Sequence, residues 1–243
     1  MATVTLAQSG LAGRTGRGVS IAIVDSGVHP GHAHVGRIAA GIAINDDGGT
    51  GDDVTDRLGH GTAVAGVIHE KAPDAVLVAV KVFDRALHTS GRALVEAIRW
   101  ATTTCVSIVN LSLGTPNHEH EAALASAVAD AARSGILVVA AAPDDGALWL
   151  PGALRGVIGV SADAELSREI CEIERRAGGL VSARASGLPR PIPGVPPARN
   201  VQGTSFAVAN ATGLLALALE EPRVGLVAAL VESLGDLDRF MGS

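Results

Sequence analysis

Short, nearly continuous apolar runs alternate with longer alanine-rich segments along this chain of 243 residues. The runs Val19–Asp25, Ala75–Phe83, Ile108–Leu113, Ile136–Ala142 and Gly156–Ser161 are rich in Val and Ile and too short for ordinary helices, so they predict strands. Their lack of polar alternation predicts strands covered on both faces, as in a parallel sheet. Between and after them, His60–Glu70, Ser90–Thr102, Glu119–Ser134, Thr204–Glu220 and Val224–Leu234 predict helices. In the third of these, Asn117 supplies a cap, Glu119 and Glu121 suit the positive end, and Gly135 follows the last turn. Ala183–Asn200 carries five prolines and predicts irregular chain; Asp46–Asp56 predicts an acidic, glycine-rich surface loop. The alternation implies an α/β protein, three layers α/β/α with a mostly parallel central sheet. No repeat or linker divides residues 1–243, which are expected to form one domain.

Composition narrows the function. With 47% hydrophobic and 18% charged residues, disorder is excluded. Aromatics are scarce: three Phe, two Trp and no Tyr, against 42 Ala and 30 Gly. Small side chains let elements approach closely, but they give bases nothing to stack on. A net charge of −6 also suits a phosphate backbone poorly, so no nucleic-acid partner is expected. Ile136–Ala142, the longest strongly apolar run, stops at Pro143, far short of a membrane span. Residues 1–17 lack the layout of a signal peptide, which suggests the cytoplasm, the alternative being a secreted mature fragment. Cys105 and Cys171 make no disulfide framework; they could pair, but read as two free, buried thiols.

No cofactor or metal is expected. Asp46–Asp53 lacks the spacing of a calcium loop, and His29, His32 and His34 read as a surface loop despite ligand-like spacing. Gly10–Gly18 precedes the first strand and has no Lys before a Ser or Thr, so it is no phosphate loop.

Three segments carry chemistry. Asp25-Ser26-Gly27-Val28 ends a strand in a carboxylate, where parallel sheets gather functional groups. Gly59-His60-Gly61-Thr62-Ala63-Val64-Ala65-Gly66 opens a helix with a histidine among small residues. Gly203-Thr204-Ser205-Phe206-Ala207 puts a hydroxyl at the positive end of the most apolar helix. Each alone has a plainer reading: a turn aspartate, a capping histidine, an N-cap serine. In this order and in these settings they resemble the three active-site signatures of the subtilisin-like serine proteases, the subtilases. Ala72-Pro73 followed by Val78–Val82, and Val109-Asn110-Leu111-Ser112-Leu113-Gly114, extend the resemblance over most of Gly16 to Leu217.

The resemblance implies a subtilisin-like fold and peptide-bond hydrolysis. Ser205 is the nucleophile, His60 the general base and then acid, and Asp25 orients and stabilises the imidazolium. Ser112, Leu113 and Gly114 pair with an extended peptide or protein substrate, and Leu87, His88 and Thr89 offer a second edge. The oxyanion hole falls to the Ser205 amide and position 144. There Asp144 replaces the family's Asn, and a carboxylate donates no hydrogen bond unless protonated. Losing such a donor costs about 10²–10³ in kcat, so a slow enzyme, or one favouring mild acid, is expected.

Other departures concern specificity. Trp149 stands at the floor of the primary pocket where the family often has Gly, implying small residues before the cut and a narrow substrate range. Gly91 stands where an outer-subsite aromatic is common. Asp56 and its acidic neighbours suggest basic residues upstream. His118 and His120 read as exposed residues at a helix start. Val208-Ala209-Asn210 replaces the family's Ser-Pro-His, the usual calcium insertion is absent from His60–Glu70, and the core is expected to stand without a prodomain or to be a mature fragment. Such a chain suits the processing of a precursor peptide. Two alternatives stay open: a peptide ligase or macrocyclase using the same acyl-enzyme, and a weak pseudo-protease that binds extended peptides.

Overall fold

The computed structural model describes residues 3–143, 145, 147–196 and 199–220. Ten strands form one sheet: β1 (Thr3–Ala7), β2 (Ser20–Asp25), β3 (Ile38–Ile44), β4 (Thr50–Gly51), β5 (Val76–Lys81), β6 (Ile108–Leu111), β7 (Leu137–Ala141), β8 (Val157–Ala162), β9 (Ile170–Arg175) and β10 (Val181–Ala185). Their order is β1-β9-β10-β8-β7-β6-β2-β5-β3-β4, parallel throughout from β10 to β3. β9 and β1 extend one edge antiparallel, and β4 the other.

Helices α1 (His60–Lys71), α2 (Gly91–Thr102), α3 (Glu121–Arg133) and α4 (Thr204–Leu219) cover both faces. Along β2, Ile21 and Ile23 join the core under α1 and α4, while Ala22 and Val24 join the core under α2 and α3. Burial on two sides explains why the central strands read as continuous apolar runs. α4 is buried along Phe206–Ala218 without a break, as a helix hydrophobic all round should be. Just past it, the Glu220 carboxylate accepts the amides of Thr15, Gly16 and Arg17 at 2.6, 2.7 and 3.3 Å.

The structure departs from expectation toward the two margins of the sheet. β9 and β10 bury alternate residues, so they lack the continuous signal of the centre. Ala183–Asn200 is therefore not irregular throughout, because β10 runs on to Ala185. Asp46–Asp56 is not simply a surface loop: it holds β4 and ends in the buried Asp56. The expected helix Val224–Leu234 lies outside the described residues.

Candidate active site

β2, β6 and β7 deliver their carboxyl ends, and α1 and α4 their first turns, to one edge of the sheet. Asp25 closes β2 fully buried. Its Oδ1 accepts the Ser26 amide at 2.7 Å and stands 2.7 Å from Nδ1 of His60. Its Oδ2 is buried and has no partner among the described residues.

Two glycines allow the close approach. Gly27 turns at φ 93°, and a Cβ there would lie 2.2 Å from the Val54 carbonyl; one at Gly61 would lie 2.2 Å from the Gly27 carbonyl. The start of α1 thus rests directly on the turn after β2, which brings His60 to Asp25.

Asp56 holds that start in place. Its Oδ1 accepts the Ser26 hydroxyl at 2.8 Å and the Leu58 and Gly59 amides at 2.9 and 2.8 Å. Oδ2 accepts the Thr62 amide and hydroxyl at 2.9 and 2.6 Å. The Ser26 hydroxyl oxygen in turn accepts the Gly61 amide at 2.9 Å. These bonds satisfy the helix-start donors that the N-cap, Gly59, cannot. Burial pushes Asp56 upward, but the hydrogen bonds from Thr62, Leu58 and Ser26 outweigh it and hold the carboxyl below the usual range. Asp56 is thus a helix cap, not the surface acid expected to favour basic substrates. Its neighbours are partly neutralised: Arg57 pairs with Asp53 and Asp84 at 2.6 and 2.9 Å, and Lys81 with Asp84 at 3.0 Å.

At His60, burial is the largest influence and lowers the pKa. The hydrogen bond and charge of Asp25, with the charge of Asp56, more than offset it, so the imidazole sits above the usual histidine value.

Ser205 lies in the first turn of α4, after an N-cap, Gly203, that offers no side-chain acceptor. Its hydroxyl donates to the Ser112 carbonyl at 2.9 Å. The Ser112 hydroxyl accepts from Nδ2 of Asn110 at 2.9 Å and donates to the Ser205 carbonyl at 3.3 Å; Thr212 donates to Oδ1 of Asn110 at 2.9 Å. Asn110 and Thr212 are fully buried and tie β6 to α4. Asn110 stood in the substrate-strand motif without a role of its own, and Thr212 was passed over; the signal was a polar residue inside a largely apolar strand and helix.

His60 and Ser205 line a cleft of about 350 Å³ together with Leu87, His88, Thr89, Ser112, Leu113, Gly114 and Trp149. The structure thus brings together the residues expected to bind substrate, and adds Phe83 and Leu94 to the wall. Reciprocal backbone bonds of 2.8 Å between Thr115 and Leu150 hold Trp149 beside the Ser112–Gly114 edge. The indole donates to the Asp145 carboxylate at 3.1 Å. Trp149 also lines a second hollow of about 260 Å³ with Ala142, Pro143, Gly152, Ala153 and Gly159. Asp144 lies outside the described residues.

Gly91 has a ring over it: a Cβ there would lie 2.2 Å from the His120 imidazole. His120 is accordingly half-buried, not exposed as expected, while His118 is exposed and bonded to Glu121 at 2.8 Å. Cys105 and Cys171 are free thiols; Cys171 is buried, but Cys105, after the last turn of α2, is exposed and not buried as expected. Among the described residues, no cluster of three or more His, Cys, Asp or Glu is arranged to hold a metal ion, and no helix is long and apolar enough to cross a membrane.

A three-layer α/β/α sheet with acid, imidazole and hydroxyl at its carboxyl edge has clear counterparts. The family model described as Peptidase_S8, Subtilase family, matches residues 16–226, and the chain belongs to that family. It is 34% identical over 174 residues to the Minor extracellular protease Epr of Bacillus subtilis (strain 168), covering 67% of this chain and 26% of that protein. It is 32% identical over 231 residues to the Major intracellular serine protease of the same organism, covering 84% and 69%. The chain thus spans about a quarter of the first of these relatives and about two thirds of the second. A solved cold adapted subtilisin-like serine proteinase shares the fold with a TM-score of 0.68 at 23% identity, over 93% of this chain and 82% of that one.

Proposed function

We propose that this chain is a serine endopeptidase, one catalytic domain that hydrolyses peptide bonds through Asp25, His60 and Ser205. The observation that carries this is the 2.7 Å contact between His60 Nδ1 and Asp25 Oδ1 beside a cleft lined by both His60 and Ser205.

With Nδ1 turned to Asp25, the other ring nitrogen is left for the Ser205 proton. The hydroxyl turns from the Ser112 carbonyl toward His60 and attacks the substrate carbonyl. His60 then carries the proton to the leaving amine. Asp25, buried and under-satisfied at Oδ2, stabilises the imidazolium formed in between. The freed Ser112 carbonyl accepts an N–H of a peptide laid along Ser112–Gly114, with Leu87–Thr89 as the opposing edge.

The amide of Ser205, without an intrahelical acceptor, stabilises the oxyanion. Asp144 stands in the sequence where a second donor is expected, so the enzyme is slow. Trp149 restricts the residue before the cut to small ones. Two free thiols and the likeness to an intracellular relative support the cytoplasm as its compartment.

The test is fluorophosphonate labelling of the purified chain, followed by mass spectrometry of products from a peptide library. Labelling that is lost in Ser205→Ala, with cuts after Gly, Ala or Ser, is expected. No labelling, or labelling retained by Ser205→Ala, refutes the assignment.

A further inference from the structure

The chain has two lysines, and the fold buries both. Lys81, at the end of β5, is 5% exposed; its Nζ donates to the Thr55 carbonyl at 2.9 Å and to the Asp84 carboxylate at 3.0 Å. Lys71, in the last turn of α1, is 4% exposed and has no such anchor. Among the described residues no hydrogen bond or ion pair reaches its Nζ. Its stem lies on the backbone of α4, where a Cβ at Gly213 would stand 2.9 Å from both Cβ and Cδ of Lys71.

The charges around that amine are few. α4 carries no charged residue. At and past its end, Arg14 is engaged with the Leu217 and Ala218 carbonyls, and Glu220 with the amides of Thr15, Gly16 and Arg17. On α1 itself, Glu70 is bonded to Arg168, whose Nε is buried without a partner among the described residues. Burial, and after it the Arg168 charge, push the Lys71 ammonium down to about 8. The Glu169 and Glu70 charges act the other way and do not restore it.

Two groups that lack a partner thus lie within reach of each other's charge. The amine, freed of its proton, is a nucleophile, and the guanidinium edge needs an anion. Carbon dioxide answers both, because it is small and uncharged enough to enter a closed site and its adduct with an amine is an anion. We infer that Lys71 is a carbamylation site: its uncharged Nζ adds carbon dioxide, and the resulting carbamate pairs with the Nε edge of Arg168. The nitrogen lone pair forms the N–C bond, one C=O π bond passes its electrons to oxygen, and a proton leaves the nitrogen for water. An unpaired buried cation becomes an anion against a guanidinium, a charge-assisted pairing that burial tolerates better. Lys71 packs α1 on α4, the helices that carry His60 and Ser205, so dissolved carbon dioxide would tighten the support of both. The modification itself needs no catalytic residue and stands apart from the peptidase assignment.

The experiment equilibrates the full chain with 13C-bicarbonate from pH 7 to 9, traps carbamates with triethyloxonium, and locates them by mass spectrometry after digestion. The α-amino group, with an ordinary pKa of about 8, reports that trapping works. An ordinary lysine is under about 1% uncharged at pH 8, so label on Lys71 should exceed that on Lys81 by at least about tenfold and rise with pH. Arg168→Gln should lower the Lys71 label several-fold. At pH 8, Tm should be higher in bicarbonate than in matched chloride, and Lys71→Met should abolish that difference.

Label on the α-amino group with none on Lys71, or label on Lys71 no greater than on Lys81, overturns the inference. Label that Arg168→Gln leaves unchanged overturns the pairing, and a bicarbonate effect on Tm that survives Lys71→Met overturns the link to helix packing. The labelling of wild type decides whether Lys71 is the site even if a variant does not fold.

Discussion

Replacing Asp56 by Ala removes the acceptor shared by Ser26, Leu58, Gly59 and Thr62, all at the start of the helix that carries His60. The Leu58 and Gly59 amides belong to exposed residues and find water. The Ser26 hydroxyl and the Thr62 amide and hydroxyl are buried. A hydroxyl can rotate to another acceptor, but the Thr62 amide cannot.

Each buried donor left unmet costs about 1–3 kcal/mol, and loss of an anion at a helix start adds about 0.3–1 kcal/mol. One amide and one hydroxyl, with the lost anion, give a loss of about 2–7 kcal/mol, a large share of the roughly 5–15 kcal/mol that holds a protein folded. At about 2–4 °C per kcal/mol for a chain of this size, Tm should fall by roughly 10 °C.

The effect depends on pH with a definite sign. Asp56 titrates lower folded than unfolded, so its contribution is complete above the ordinary carboxylate pKa and is lost as pH falls through the depressed one. Wild type and Asp56→Ala should therefore differ most at neutral pH and converge in acid. Urea unfolding at both conditions reads this directly. A variant within about 1 kcal/mol of wild type at neutral pH, less than one unmet buried donor, would refute the reasoning.

Three further outcomes are expected. Asn110→Leu strands the Thr212 hydroxyl in the core and removes the donor that holds the Ser112 hydroxyl, costing about 1–3 kcal/mol and lowering kcat more than KM; a stable variant of full activity contradicts the positioning role. Trp149→Gly joins the cleft to the 260 Å³ hollow behind it, so product analysis should show new cuts after Leu and Phe; an unchanged profile shows that Trp149 is not the floor. Because His60 must be neutral to accept a proton and its pKa is raised, kcat/KM should be lost as pH falls through a value above about 6.5. Asp25→Asn should move that limb to lower pH and cut kcat by about 10³–10⁴, and a limb that stays in place refutes the coupling.

The sheet centre and the three site segments were readable because both obey strong local rules. Strands buried on two faces show as unbroken Val and Ile runs, and the close approach of α1 to β2 demands Gly27 and Gly61, which stand out as letters. The antiparallel edge was not readable, because β9 and β10 bury alternate residues and their pattern is short and mixed. Asp56 was misread for a different reason. Its donors come from Ser26 as well as from Leu58, Gly59 and Thr62, and a partner 30 positions away leaves no local trace. His120 over Gly91 is similar: the missing side chain at one place is explained by a ring contributed from another.

The Ser112 carbonyl has two suitors. In the free protein it engages the Ser205 hydroxyl, and a bound peptide strand would offer its own N–H to the same oxygen. In the proposed mechanism the Ser205 hydroxyl is therefore parked until a substrate backbone displaces it. Phosphonyl reagents that carry a peptide strand should therefore label Ser205 faster than fluorophosphonates with no amide to offer, which must wait for the hydroxyl to turn on its own. An inhibitor for this chain gains by imitating the strand as well as the reactive carbonyl.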